Sequence, residues 1–156
     1  MSIRPKKRAT KQSVYKMTEA ALNTKRRTVF EAFRMAGEEA VTYARDVVNT
    51  YLDQTSNLRS SIGFTVAEKG VVKETSSFEQ LPPKNPHPGD VYDGGDRGKT
   101  KVLQLVREAE SSDFLLVLVA GMPYAKWVEQ KYNLEVLSGA GLVMEQELKD
   151  NLSVIK

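Results

Sequence analysis

The sequence has no cysteine, one histidine and one tryptophan among 156 residues. Without thiols there can be no disulfide framework, thiolate zinc site, iron–sulfur cluster or cysteine nucleophile. His87 is the only imidazole, so a multi-histidine metal site is excluded and a Ser-His-Asp triad would have to use this residue. Long hydrophobic runs are missing too. The longest, Phe114 to Met122, falls well short of the ~18 apolar residues of a membrane span. No apolar stretch follows the N-terminal charges, so a secretory signal is not expected. These gaps remove most familiar hydrolase designs. A non-enzymatic protein with no cofactor, no metal and no membrane association is the expectation.

What is present is an ordinary globular composition, 40% hydrophobic and 28% charged, in a chain of single-domain length. The net charge of +3 conceals an uneven distribution. Residues 1–27 hold Arg4, Lys6, Lys7, Arg8, Lys11, Lys16, Lys25, Arg26 and Arg27 against Glu19 alone, a balance of +8, which leaves −5 for the rest. A basic N-terminal arm thus precedes a mildly acidic body. Residues 1–17 lack periodicity and contain Pro5, so they are expected to be unstructured in isolation. Three readings of Arg4, Lys6, Lys7, Arg8 and Lys11 stay open: a solubilising tail, contacts to DNA phosphates without sequence specificity, or contacts to an acidic neighbour.

From Thr18, a candidate helix cap, Leu22, Val29, Phe33, Ala36, Ala40, Val47 and Tyr51 recur at helical steps. Lys25, Arg34, Glu38 and Arg45 fall on the opposite face. Such a helix would be roughly 50 Å long, more than the width of a compact domain this size, so it bends or projects towards another subunit. Asp53 to Asn57 is a turn cluster. Ile62, Phe64 and Val66 then alternate with small and polar residues, and Glu68-Lys69-Gly70 turns into a second strand from Val71, giving a hairpin. Residues 79–100 collect Pro82, Pro83, Pro86 and Pro88 with four glycines, a loop long enough to be functional, mobile or fixed by a partner. A short helix from Thr100 to Glu110 follows. The consecutive apolar residues of Asp113 to Ala120 predict a central strand covered on both faces. Pro123 opens a short helix bearing Tyr124, Trp127 and Val128. Tyr132, Leu134 and Val136 alternate as a further strand, and Ser138 to Gly141 leads into a last helix with Met144, Leu148 and Leu152 on one side. The predicted fold is α+β: a long N-terminal helix on a small, mainly antiparallel sheet, with shorter helices and one long loop, in a single domain over 18–156.

Two apparent motifs dissolve on inspection. Gly94 to Thr100 resembles a phosphate-binding loop, but Asp93 stands where its first glycine belongs and no hydrophobic strand precedes it. Asp90, Asp93 and Asp96 lack the alternating ligand spacing and closing glutamate of a calcium loop. Tyr124 and Trp127 fit either a core or an interface anchor.

Two further segments carry a resemblance. Asp53-Gln54-Thr55-Ser56-Asn57-Leu58-Arg59-Ser60-Ser61-Ile62-Gly63 follows the long helix, and Gly121-Met122-Pro123-Tyr124-Ala125-Lys126-Trp127-Val128-Glu129 comes later. Together, in this order, they resemble the phage neck and tail-completion (head-tail joining) proteins across about residues 18–150. Ser56 departs from the family's usual glycine, and the 79–100 loop and the arm lie outside the core pattern. The resemblance implies a structural virion protein of the neck or tail, assembled in the host cytoplasm, that forms a homo-oligomeric ring, sixfold by the family's habit, in the neck. Its partners would be portal or adaptor and tail proteins, with DNA in the lumen. Asp53, Asn57, Leu58, Arg59, Ile62, Tyr124, Ala125, Trp127, Val128 and Glu129 are the motif residues. Pro82, Pro83, Pro86, His87 and Tyr92 are candidate intersubunit contacts in the loop. A small DNA-binding accessory protein using the arm is the alternative.

Overall fold

A computed structural model describes residues 10–49, 53–109, 112–132 and 135–154. The element order is α1 (Lys11–Asn49), α2 (Asn57–Ser60), β1 (Ile62–Glu68), β2 (Val71–Thr75), α3 (Gly94–Glu108), β3 (Leu115–Ala120), α4 (Ala125–Tyr132) and α5 (Val136–Ser153). The fold is α+β, a long first helix against a three-stranded antiparallel sheet of order β2-β1-β3.

The long helix begins earlier than its apolar pattern suggests. Thr10 receives the backbone N–H of Ser13 on its hydroxyl at 3.3 Å and starts α1 at Lys11. Thr18, the expected cap, lies inside the helix and donates its hydroxyl to the carbonyl of Val14 at 3.0 Å. The segment from Lys11 to Met17, expected to be unstructured, is therefore helical. Arg4, Lys6, Lys7 and Arg8, like Tyr51 at the far end of the stripe, lie outside the described residues.

β1 crosses α1 in the opposite direction. Arg45 donates to the carbonyl of Ile62, Gly37 lies against the ring of Phe64, and Arg26 faces Glu68 at 3.7 Å. Ile62, Phe64 and Val66 enter a core with Ala40, Val41, Ala44, Val128, Val136 and Ala140, so α1 and α5 share one sheet face. On the other face α3 supplies Val102 and Val106. β1 is thus buried on both faces rather than half-buried. Its small and polar residues fit beneath α3, where the hydroxyls of Thr65 and Thr75 are 2.9 Å apart.

β1, not β3, is the central strand. β3 is apolar at consecutive positions because helices lie on both sides of it, yet among the described residues it pairs only with β1. Four further expectations change. The stretch from Gly94 to Thr100 forms the first two turns of α3, so the long loop ends at Asp93. Residues read as a strand from Tyr132 to Val136 instead end α4 and begin α5, with 133–134 outside the described residues. Ser138 to Gly141 lies within α5, where Gly139 closes onto the ring of Tyr43. Arg45, placed by periodicity on the outer face, turns inward. Its Nη2 donates to the carbonyls of Ile62 at 2.9 Å and Ser77 at 3.0 Å.

Candidate assembly surface

The first resemblance segment is a buried knot. Asp53 is buried and accepts the backbone N–H of Arg59 at 3.0 Å, closing the turn after α1. Leu58 and Ile62 are core residues. Ser56 adopts the left-handed conformation, φ 57°, which a glycine would take without strain. Here the serine has an added use, because its hydroxyl donates to the carbonyl of Pro82 at 2.7 Å. Arg59 in turn donates to the Ser56 hydroxyl at 3.2 Å.

The knot also holds the proline-rich loop. Asn57 is buried and donates its amide to the carbonyl of Val91 at 2.7 Å, while its side-chain oxygen accepts the N–H of Gly94 at 3.3 Å. Leu81 donates its N–H to the Ser60 hydroxyl at 2.9 Å, and Lys84 and Asn85 donate theirs to the carbonyl of Gln54. The loop is therefore fixed by its own chain at both ends. Its outward side remains available: Pro82, Pro86, His87 and Tyr92 are exposed and Pro83 is half-buried.

The aspartates and glycines near the loop end are used structurally. Asp93 pairs with Arg97, and Asp90 accepts the backbone N–H of His87. Gly94 and Gly95 pack directly on the backbone of Asn57 and Phe78, so the absence of a side chain lets the start of α3 close onto the knot. Among the described residues, no group of three His, Cys, Asp or Glu side chains could hold a metal ion, and no helix is long and apolar enough to cross a membrane.

Next to the knot, Arg45 is short of partners. Its Nε is buried without a hydrogen bond. Burial, and then the nearby positive charge of Arg59, pull its pKa down.

The second resemblance segment divides into an inner and an outer side. Met122 and Val128 are buried, and Ala125 packs against the core. Glu129 reaches across to the start of α5, accepting the N–H groups of Leu137 and Ser138 and the Ser138 hydroxyl. Tyr124 and Trp127 are not core residues; Trp127 is 50% exposed, and the Lys131 ammonium lies 4.3 Å from the centroid of its ring. Of the two roles open for this pair, burial within the subunit is excluded.

Searches against protein-family models, curated proteins and solved structures return no match.

One long exposed feature was only half-revealed by periodicity. Between Lys11 and Thr28 every residue except Ser13 is exposed. Arg26 meets Glu68, the last residue of β1, so the helix N-terminal to it runs past the end of the sheet. The exposed stretch is roughly 25 Å long. It carries Lys11, Lys16, Lys25, Arg26 and Arg27 against Glu19. Leu22, expected to be part of the buried stripe, is 58% exposed. The subunit covers the stripe from Val29 to Val47 and leaves Leu22 bare. Exposure of this kind is visible only once the end of the sheet is located, because the helical pattern itself does not change at Arg26.

Proposed function

We propose that this protein is a structural, non-enzymatic subunit of the neck of a tailed phage. It forms a ring that joins the portal-bearing head to the tail and lets DNA pass. The observation that carries this reading is the first half of α1. A lone 25 Å helix with exposed Val14, Tyr15, Met17 and Leu22 gains little stability in water without packing. It is a device for engaging another subunit. The two segments that resemble those of neck and tail-completion proteins support the same reading, one as a scaffold for the loop and the other as a source of exposed aromatics. A closed ring uses two different patches of each subunit, and the arm on one side with Trp127 and Tyr124, or the loop, on another supply distinct patches. Portal or adaptor and tail proteins are the flanking partners, and DNA in the lumen is held without sequence specificity.

The test is the mass of the purified protein together with the morphology of particles lacking it. Closed multimers, and mutant lysates containing unjoined heads and tails, are expected. A monomer at all concentrations and normal virions without the protein would overturn the reading.

The exposed cations of the arm favour a second reading, a small DNA-binding accessory protein. Binding through these groups would weaken with salt at a log–log slope of about −0.9 per phosphate contact. Retention on duplex DNA with that dependence, by a protein that stays monomeric, would favour it over the ring.

A further inference from the structure

The apolar stripe of α1 continues in phase from the body onto the arm. Eighteen residues make five full helical turns, so Val14 stands above Ala32, Tyr15 above Phe33, Thr18 above Ala36 and Leu22 above Ala40. In the body, Ala32, Ala36 and Ala40 are buried against neighbouring elements. On the arm, the corresponding residues are exposed, with Tyr15 at 67%. Lys11 and Lys25 lie within or beside this face, so whatever covers it must offer carboxylates as well as apolar contact.

The same helix carries a surface of that character. Met35, Glu39, Thr42 and Asp46, at helical steps of four, three and four, form a line on the outer side of α1. All four are exposed, Met35 at 46%, and Glu38 flanks them, already paired with Arg34 at 2.6 Å. This outer side of the C-terminal half is acidic with one large apolar contact. The N-terminal half is basic with an uncovered apolar stripe. Within one chain the two halves cannot meet, because both belong to a single continuous helix. Between chains they can.

We propose that the basic arm of one copy docks, running antiparallel, on the outer face of the second half of α1 of a neighbouring copy, so that Lys11 stands near Asp46 and Leu22 near Met35, pairs separated by the same eleven residues on each helix. The proposal rests on the ring reading and names the contact that builds it. Because donor and acceptor patches differ, each subunit gives an arm and receives one, the head-to-tail pattern that closes into a ring. The contact resembles helix-in-groove recognition, in which an amphipathic helix lays its apolar side on a partner. Charge complementarity selects the register and speeds encounter.

The experiment uses the full chain. Lys11→Glu with Lys25→Glu, and separately Glu39→Lys with Asp46→Lys, alter exposed side chains outside the core. Each double variant is expected to weaken assembly at least tenfold in the concentration at which multimers form. The fourfold variant, with both patches reversed, is expected to recover assembly. The chain has no native cysteine, so a mixture of Leu22→Cys and Met35→Cys proteins reports the contact directly as a disulfide-linked pair of unlike chains. Multimers that persist in both double variants, or that form without this cross-link, would overturn the arm contact and leave the ring reading intact. A wild-type protein that never assembles would overturn both.

Discussion

Glu129 and Ser138 join two helices through one carboxylate oxygen: Oε1 of Glu129 accepts the backbone N–H of Ser138 at 2.9 Å and its hydroxyl at 2.7 Å. The Leu137 N–H approaches the same oxygen at 3.2 Å. Glu135, the residue preceding α5, makes no side-chain cap of its own, so α4 provides the cap that α5 lacks. A carboxylate there also meets the positive end of the helix dipole.

Glu129→Ala is therefore expected to destabilise the protein by about 1–2 kcal/mol, the usual cost of losing a helix cap. Glu129→Gln keeps an acceptor and loses the charge, so about half that loss is expected. Chemical denaturation of the three proteins checks the order. Equal stability for wild type and the alanine variant would show that α5 does not depend on this carboxylate.

Gly37 illustrates a residue whose reason was invisible in the sequence. Inside a helix it costs ~1 kcal/mol relative to alanine, and periodicity offers nothing in return. In the fold, a Cβ at this position would clash with the ring of Phe64, 2.6 Å from its Cγ. Gly37→Ala is expected to be destabilising by about 1–2 kcal/mol, since overpacking outweighs the propensity gain. In combination with Phe64→Leu the same substitution should become neutral or favourable relative to Phe64→Leu alone. A double-mutant cycle measured by denaturation tests the sign of the coupling.

Ser56 combines a backbone cost with a side-chain gain. Holding a residue with a Cβ in the left-handed region costs roughly 1–2 kcal/mol, and the hydroxyl bonds to Pro82 and Arg59 offset it. Ser56→Gly removes both and is expected to change stability by less than about 1 kcal/mol. Ser56→Ala keeps the strain and discards the bonds, so a loss of about 1–3 kcal/mol is expected. The proline-rich loop should also become more accessible to protease in both variants, because the Pro82 anchor is gone.

Along the chain, local patterns were legible where the physics is local. The 69–70 hairpin turn, with Lys69 and Gly70 both at positive φ, follows from a two-residue glycine-containing loop between alternating segments. Centrality in the sheet was not legible. The run from Leu115 to Val119 looks more buried than Ile62 to Val66, but apolar side chains report coverage of a strand's faces, whereas a central strand is defined by pairing along its edges. β1 could be central with glycine and threonine because Gly63 leaves room for Phe78 and Thr65 bonds to Thr75. The site was legible in part for a similar reason. Asp53 and Asn57 stood out as turn residues, and Asp53 does close that turn, but the role of Asn57 in holding Val91 and Gly94 depends on contacts across more than thirty positions. The exposure of Trp127 depends on which side of α4 meets the core, and its short helix contains too few apolar residues to decide.

Glu145 supplies a test by pH. Its hydrogen bond with Lys149, at 2.6 Å, and then the charge of that ammonium, lower its pKa from the usual glutamate value, with burial opposing weakly. A carboxyl group depressed in the folded state stabilises it fully above the unfolded-state pKa, and this support disappears as pH falls through the folded value. Both side chains are exposed, so the contribution is small and salt-sensitive. An NMR titration should show Glu145 ionising below the ordinary range, and Lys149→Met should return it upward. An unchanged Glu145 midpoint in that variant would exclude the pair as the cause.

Trp127 separates folding from assembly. Half its surface is exposed in the subunit, so Trp127→Ala removes less buried area than a core aromatic, and a loss of no more than about 1–2 kcal/mol is expected rather than the ~3–5 kcal/mol of a core truncation. At an interface the same side chain is of the type that dominates binding, where truncation commonly costs 2 kcal/mol or more, roughly thirtyfold in affinity. As the only tryptophan in the chain, it also reports its own environment. Fluorescence emission should be that of a wet indole in the dissociated subunit and should shift to shorter wavelength as assembly proceeds. If emission stays constant while multimers form, and Trp127→Ala assembles normally, the contacts between copies are made elsewhere, and the exposed aromatics of α4 are left for a different partner rather than for a second copy of this chain.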